Sequence, residues 1–288
     1  MSNTSDFRAE SLYNVTGWTA LVTGGGSGLG LIAAQALAAN GARVYITGRR
    51  LDKLEEAAQS LGPDSPGSII AIQGDITKKE DIQALVEHIS SKEKSLNFLI
   101  NNAGIKGIKN DFNKVEQTPE AISKSLFEGS QIQEWQDVLL LNTSAMYFVA
   151  AAFLPLLVNA KDTHGNPGSI LNISSMSGIT KQSQGGQFSY NAAKAATISL
   201  SQQLAYEFSR PTLNVRVNNL APGYFPSEMT RPSQFPGTPE EIRAQRGIPV
   251  GRLGTAREYA QAVLGFAVNT YVNGATLIID GGWLLAQS

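Results

Sequence analysis

Short apolar runs alternate with helix-spaced amphipathic segments along almost the whole chain. Thr19–Val22 is predicted as a first strand, and the alanine-rich stretch Leu29–Asn40 as a helix stopped by Gly41. A second strand is expected at Arg43–Thr47, followed by a helix over Leu51–Leu61 with apolar positions at Leu51, Leu54, Ala58 and Leu61. Ser68–Gln73 and Lys79–Ser90 repeat the pattern as strand and helix, and Leu96–Ile100 is a fourth strand. Next come a long helix over Gln131–Val158, a fifth strand at Ser169–Ile173 and a helix over Gln187–Phe208. Leu213–Asn218, the helix Ala256–Val268 and the strand Thr276–Ile279 complete the series. Near-continuous apolar strands separated by helices predict a parallel sheet covered on both faces, doubly wound, with seven strands.

No Pro/Gly/Ser-rich linker or solenoid repeat divides the chain, so one domain over residues 17–288 is expected, with residues 1–16 as an N-terminal arm. Two stretches break the rhythm. Ile105–Ser130 is a polar connection after the fourth strand, and Tyr224–Val250 is proline-rich after the sixth. Both follow strand carboxyl ends, where open α/β sheets bind ligands, so the second is read as a substrate lid over about 224–250. Its bulky apolar residues Tyr224, Phe225, Met229 and Phe235 are expected to close over an apolar substrate.

Composition narrows the chemistry. Lys plus Arg (23) nearly balances Asp plus Glu (24), so no net field recruits nucleic acid or an anionic membrane. The absence of cysteine removes disulfides, thiolate nucleophiles and Cys-ligated metals, and two histidines cannot make a three-His site; no metal is expected. The apolar stretch Val138–Val158 carries Asn142, Thr143 and Ser144 at one end and Pro155 near the other, which fits a buried helix better than a membrane span. The polar N-terminus lacks an apolar signal region, and a cytoplasmic protein is expected. What remains is chemistry by Ser, Tyr, Lys, Asn, carboxylates or a borrowed cofactor.

The cofactor is indicated by Thr23-Gly24-Gly25-Gly26-Ser27-Gly28-Leu29-Gly30, a glycine-rich turn between the first strand and its helix. Such a turn lets backbone N–H groups approach a pyrophosphate at a helix N-terminus, as in Rossmann-type dinucleotide sites. At the end of the second strand, where an acidic residue would hold a ribose 2′-hydroxyl, stand Gly48, Arg49 and Arg50. An acid would repel a 2′-phosphate and a guanidinium would pair with it, so NADP(H) is expected over NAD(H), with Arg49 as its main contact.

Tyr190 and Lys194, four apart on a predicted helix, share one face. That spacing is common by itself, but the fifth strand ends in Asn172-Ile173-Ser174-Ser175 and the fourth in Asn101-Asn102-Ala103-Gly104, placing polar groups in the same crevice. With Asp75, Asn142, Pro222-Gly223 and Asp280-Gly281-Gly282 in order, the chain resembles a one-domain short-chain dehydrogenase/reductase from Leu12 to Gly282. The segment Ala221–Thr230 is similar to that of 3-oxoacyl reductases of the rhamnolipid type.

The resemblance implies an oxidoreductase acting between a ketone and a secondary alcohol, with a small-molecule carbonyl substrate. Tyr190 would be the proton donor, Lys194 the cation that makes its phenol useful and a ligand of the nicotinamide ribose, and Ser175 the partner of the carbonyl oxygen. Asn142 would hold a water linking Lys194 to solvent. Gly24, Ser27, Gly28, Leu29 and Gly30 would receive the pyrophosphate, Asp75 and Ile76 the adenine, and Asn102, Ala103 and Gly104 the ribose. Pro222, Gly223, Phe225 and Ser227 would fix the carboxamide. Ser175 is preferred over Ser174 because Met176-Ser177-Gly178 follows it. The family's helix pairing implies a homodimer or homotetramer. The alternative is a non-catalytic NADP(H)-binding redox sensor. Three departures stand out: Ser175 and Tyr190 are fifteen apart, with extra residues in Lys181–Gln187; Ser227 replaces a threonine; Ser27 replaces a basic residue.

Overall fold

The computed structural model describes residues 4–161 and 165–287. Seven parallel strands form one sheet: β1 (Thr19–Thr23), β2 (Arg43–Gly48), β3 (Ser68–Gln73), β4 (Phe98–Asn101), β5 (Ser169–Ile173), β6 (Arg216–Pro222) and β7 (Thr276–Ile279). Their order is β3-β2-β1-β4-β5-β6-β7, so the chain reverses direction across the sheet between β1 and β4. Ala20 sits in register with Val44 on one side and Phe98 on the other. Every residue of β1, β4 and β5 is buried, which explains why these strands are mostly apolar rather than alternating, with their polar residues buried too.

Helices α1 (Gly28–Ala39), α2 (Leu51–Gln59) and, later in the chain, the helix Ala256–Val268 cover one face. Ala33, Leu37, Val263 and Phe266 pack there against Val22 and Ile100. The other face is covered by α3 (Lys79–Ser90), the helix Ile132–Asn159 and the helix Phe188–Phe208. Leu85, Val149, Phe153 and Leu204 meet Leu21 and Leu99 on that side. With Pro119–Glu128 as α4, these later helices are α5 (Ile132–Asn159), α6 (Phe188–Phe208), α7 (Pro239–Arg246) and α8 (Ala256–Val268). The single doubly wound domain expected from the alternation is what forms.

Three boundaries differ from expectation, each for a local reason. β4 starts at Phe98 because the Leu96 amide donates to the Leu156 carbonyl of α5 and the Asn97 side chain accepts from the Thr19 amide. β6 starts at Arg216 because Asn214 is left-handed (φ 51°) and closes a turn back onto Arg210. α5 is not regular: Leu140–Ser144 form a π-turn. The expected arm lies partly outside the described residues, at Met1–Asn3; its remainder forms short helical turns at Thr4–Phe7 and Ala9–Leu12 and is anchored by the buried Val15.

Neither long connection is a bare loop. Ile105–Ser130 contains a short helical turn at Phe112–Lys114 and α4, capped by the Thr118 hydroxyl. Tyr224–Val250 contains a turn at Pro232–Gln234 and α7, which has a full capping box between Thr238 and Glu241.

Candidate active site

The carboxyl ends of the strands open into one cleft of about 380 Å³. It runs from Arg49 and Asp75, past the glycine loop, to Ser175, Tyr190 and Lys194. Of the residues expected to bind or catalyse, only Gly30 and Asn142 do not line it. Gly24 (φ 65°) and Gly28 (φ 54°) are left-handed, which makes the turn a glycine position. Gly30 shapes the loop from behind: a Cβ there would collide with the Gly24 carbonyl oxygen. The loop delivers the chain into α1, whose first-turn amides lack helical partners and carry the positive end of the dipole.

The loop is braced by β4 rather than by its own bonds. The Asn102 side chain donates to the carbonyls of Thr23 (3.0 Å) and Gly24 (3.2 Å), while the Thr23 hydroxyl accepts from the amides of Asn102 and Ala103. Asn102 therefore holds the glycine turn through its side chain while still lining the cleft. Asp75 is likewise engaged: its carboxylate accepts from the Thr77 hydroxyl (2.7 Å) and amide (3.0 Å). Burial opposes its ionisation, but the Thr77 bonds and nearby Arg49 outweigh that and hold its pKa below the usual value. Arg50 forms a two-pronged ion pair with Glu228 (2.9 and 3.2 Å), across the cleft from its own strand. Arg49 makes no ion pair among the described residues and faces the cleft beside Asp75.

At the other end, Ser175, Tyr190 and Lys194 line the same part of the cleft, and the Ser175 hydroxyl faces the Pro222 carbonyl at 3.5 Å. Ser175 also accepts from the Ser177 amide at 3.1 Å, which fixes its rotamer. Ser174 points elsewhere: it accepts from Asn219 (2.9 Å) and faces the Leu220 carbonyl, tying β5 to β6. Ser174 also lines the cleft, but its hydroxyl is engaged by β6. The Lys194 ammonium donates to the Ile173 carbonyl at 2.9 Å and lies 5.8 Å from the Tyr190 ring centre. Burial pushes its pKa down to about 8. Burial also pushes the Tyr190 phenol up, and the nearby Ser175 hydroxyl opposes that.

Asn142 occupies the π-turn, fully buried, and its amide grips one residue. Oδ1 accepts from the Ile105 amide (2.8 Å) and Nδ2 donates to the Ile105 carbonyl (2.9 Å). Its side chain pins the loop that follows β4. Its main-chain carbonyl accepts from Thr197 of α6, so α5, α6 and β4 meet at this residue. The Phe225 ring packs in the core against Tyr259, 5.7 Å between centres, and the residue also lines the cleft.

Nor do the four bulky lid residues all face a substrate. Tyr224 packs against Phe235 (5.2 Å) and Trp283 (6.3 Å), in a small cluster with Met176, Ile242 and Ile248. Met229 and the edge of Tyr224 line the cleft. Several residues had no local signal in the sequence: the Arg50–Glu228 pair, Lys106, and the buried chain Asn101–Asn172–Ser201, in which Asn172 accepts from Asn101 (2.9 Å) and donates to Ser201 (3.0 Å). The polar connection after β4 and the extra residues before Tyr190 meet at the substrate end. The Asn110 backbone lies so close to Gly186 that no side chain would fit there, the Asn110 amide donates to the Gly186 carbonyl, and Phe112 stacks on Phe188.

A family model for short chain dehydrogenases matches residues 18–235. The chain belongs to the short-chain dehydrogenase family. It is 34% identical to the short-chain dehydrogenase/reductase VdtF of Byssochlamys spectabilis, over 96% of this chain and 95% of that one. It is 31% identical to the rhamnolipids biosynthesis 3-oxoacyl-(acyl-carrier-protein) reductase of Pseudomonas aeruginosa, over 95% and 98%. A solved Pseudomonas aeruginosa RhlG/NADP active-site complex superposes with a TM-score of 0.79 at 30% identity, over 94% of this chain and 98% of that one. This short-chain dehydrogenase is an oxidoreductase acting on CH–OH and C=O groups with a nicotinamide cofactor. The cleft fits such a dinucleotide: a glycine turn that admits no Cβ, a helix N-terminus, and a polar triad of Ser175, Tyr190 and Lys194 at the far end.

Proposed function

We propose that the protein is an NADPH-dependent reductase of small-molecule ketones, with Ser175, Tyr190 and Lys194 as the catalytic residues and Asn142 as the positioning residue. The observation that carries this is the convergence of Ser175, Tyr190 and the buried Lys194 ammonium on one end of a cleft whose other end holds Arg49. When bound, the nicotinamide supplies the hydride. Tyr190 donates its phenolic proton to the substrate oxygen, and Ser175 hydrogen-bonds that oxygen as charge develops. Lys194 keeps a cation within reach of the phenol, favouring the phenolate left behind. Arg49 pairs with the 2′-phosphate; the neighbouring Arg50 is held by Glu228. The NADP of the Pseudomonas aeruginosa RhlG complex supports the cofactor choice. A cytoplasmic homodimer or homotetramer is proposed with it, supported by the exposed Leu140 and Tyr147 on α5.

Tyr190→Phe tests the reading. NADPH binding, followed by nucleotide fluorescence, should persist because the ring stays. NADPH oxidation with a ketone panel should fall by about 10²–10⁴-fold, the usual effect of removing a positioned acid. Near-native turnover would remove Tyr190 from the mechanism.

A further inference from the structure

Three cations at the substrate end have no part in the chemistry above. Lys106 lines the cleft, and its ammonium donates to the Met229 carbonyl, tying the loop after β4 to the 224–250 segment. Lys109 lies three residues further along the same loop, against Gly185, and Arg231 follows Met229 by two. Burial, then the charges of Arg231 and Lys109, lower the Lys106 pKa; both charges that reach it are positive.

The acids in the neighbourhood are turned to other partners. Glu228, which also faces Arg231, has both oxygens on Arg50. Glu134 accepts from the Ser189 hydroxyl (2.6 Å) and the Ile108 amide (2.9 Å). Asp111 pairs with Lys114 at 3.2 Å. Lys106 lines the cleft, with Lys109 and Arg231 on the segments beside it; where the neighbouring acids are engaged by other groups, such cations raise the local concentration of an anion and favour its binding. Beside them the cleft wall is apolar, formed by Ile105, Leu141, Met176 and Met229.

We propose that Lys106, Lys109 and Arg231 form a docking site for an oxyanion on the substrate, so that the ketones reduced here carry a carboxylate or phosphate at the end of an apolar stem. This rests on the reductase reading for its role in turnover, but the site itself is testable without turnover. Binding of octanoate, octyl phosphate and 1-octanol is measured by calorimetry on the full chain with NADPH present. At least one of the two anions should bind roughly tenfold or more tightly than the alcohol, and added salt should weaken only the anions. The stronger of the two identifies the oxyanion source. Lys106→Gln and Arg231→Gln should each reduce the preference for the anion, and Lys106→Arg should keep it; Arg231 lies on the surface segment after Met229, outside the core, so its variant is expected to fold normally. Equal affinity for octanol and both anions, or a preference that survives Lys106→Gln and Arg231→Gln together, overturns the proposal. Selective anion binding without reduction of any ketone would leave the docking site standing and sink the reductase reading instead.

Discussion

Asn142→Ala perturbs the point where α5, α6 and β4 are joined. The side chain is fully buried and makes two hydrogen bonds, both to the backbone of Ile105. Truncation leaves an amide and a carbonyl without partners in a half-buried place, at about 1–3 kcal/mol for each unsatisfied group. Partial access of water to Ile105 favours the lower half of that range, for a total of about 2–4 kcal/mol. A chain of this size shifts its Tm by about 2 °C per kcal/mol, so melting should fall by about 4–8 °C. The Cβ position of Gly104 lies 2.9 Å from Asn142 Oδ1 and 3.5 Å from Lys194 Nζ. Freeing the loop therefore also loosens the wall against which Lys194 sits, and kcat should fall together with stability. Scanning calorimetry at fixed protein concentration, with NADPH oxidation on the same samples, reads both. A Tm within a degree or so of wild type would refute the reasoning, because it would mean the two bonds are replaced at no cost.

Arg49→Ala should weaken NADPH binding by about 10–100-fold and leave NADH nearly unchanged, from the worth of one charge-assisted contact, whereas Arg50→Ala should act equally on both because its partner is Glu228. Paired fluorescence titrations check this. Lys194 holds its proton below about 8, so kcat/KM for reduction should decline as the pH passes that value; a flat profile there would exclude the ammonium from the mechanism. Because the same pKa is 10.5 in the unfolded chain, unfolded molecules bind more protons between about 8 and 10.5, and this group's contribution to stability rises with pH across that window. Thr255→Ala removes one half of the capping box with Glu258 and should cost about 1 kcal/mol, read as a lower denaturation midpoint.

The fold was legible because its strands are buried on both faces. Parallel strands in such a sheet have no solvent side, so β1, β4 and β5 stand out as predominantly apolar, non-alternating runs between helical periods. The errors fall where one residue's tertiary bond decides the boundary. Nothing local distinguishes Leu96 as a donor to α5, or Asn214 as the left-handed end of a turn. The π-turn at Leu140–Ser144 was invisible for the same reason: its extra residue is stabilised by what Asn142 reaches, not by helix propensity.

The site was legible to the degree that motif residues touch the ligand cleft, and a motif does not distinguish contact from support. Gly30 carries the family pattern as faithfully as Gly24, yet it only leaves room for the turn, whereas Asn102 both braces the turn and lines the cleft. Asn142 marks the same distinction at the catalytic end. The charges show the converse. Arg50 sits beside Arg49 in sequence, and composition cannot say which is engaged; the partner that decides it, Glu228, is 178 residues away. The same short stretch carries Met229, whose carbonyl takes Lys106. Residues 228 and 229 are therefore held from both sides of the cleft, one by Arg50 just after β2 and one by Lys106 in the loop after β4. Such a bridge couples the two ends of the cleft through four side and main-chain groups that no spacing pattern connects, which is why cofactor preference and substrate charge have to be tested in the same variants.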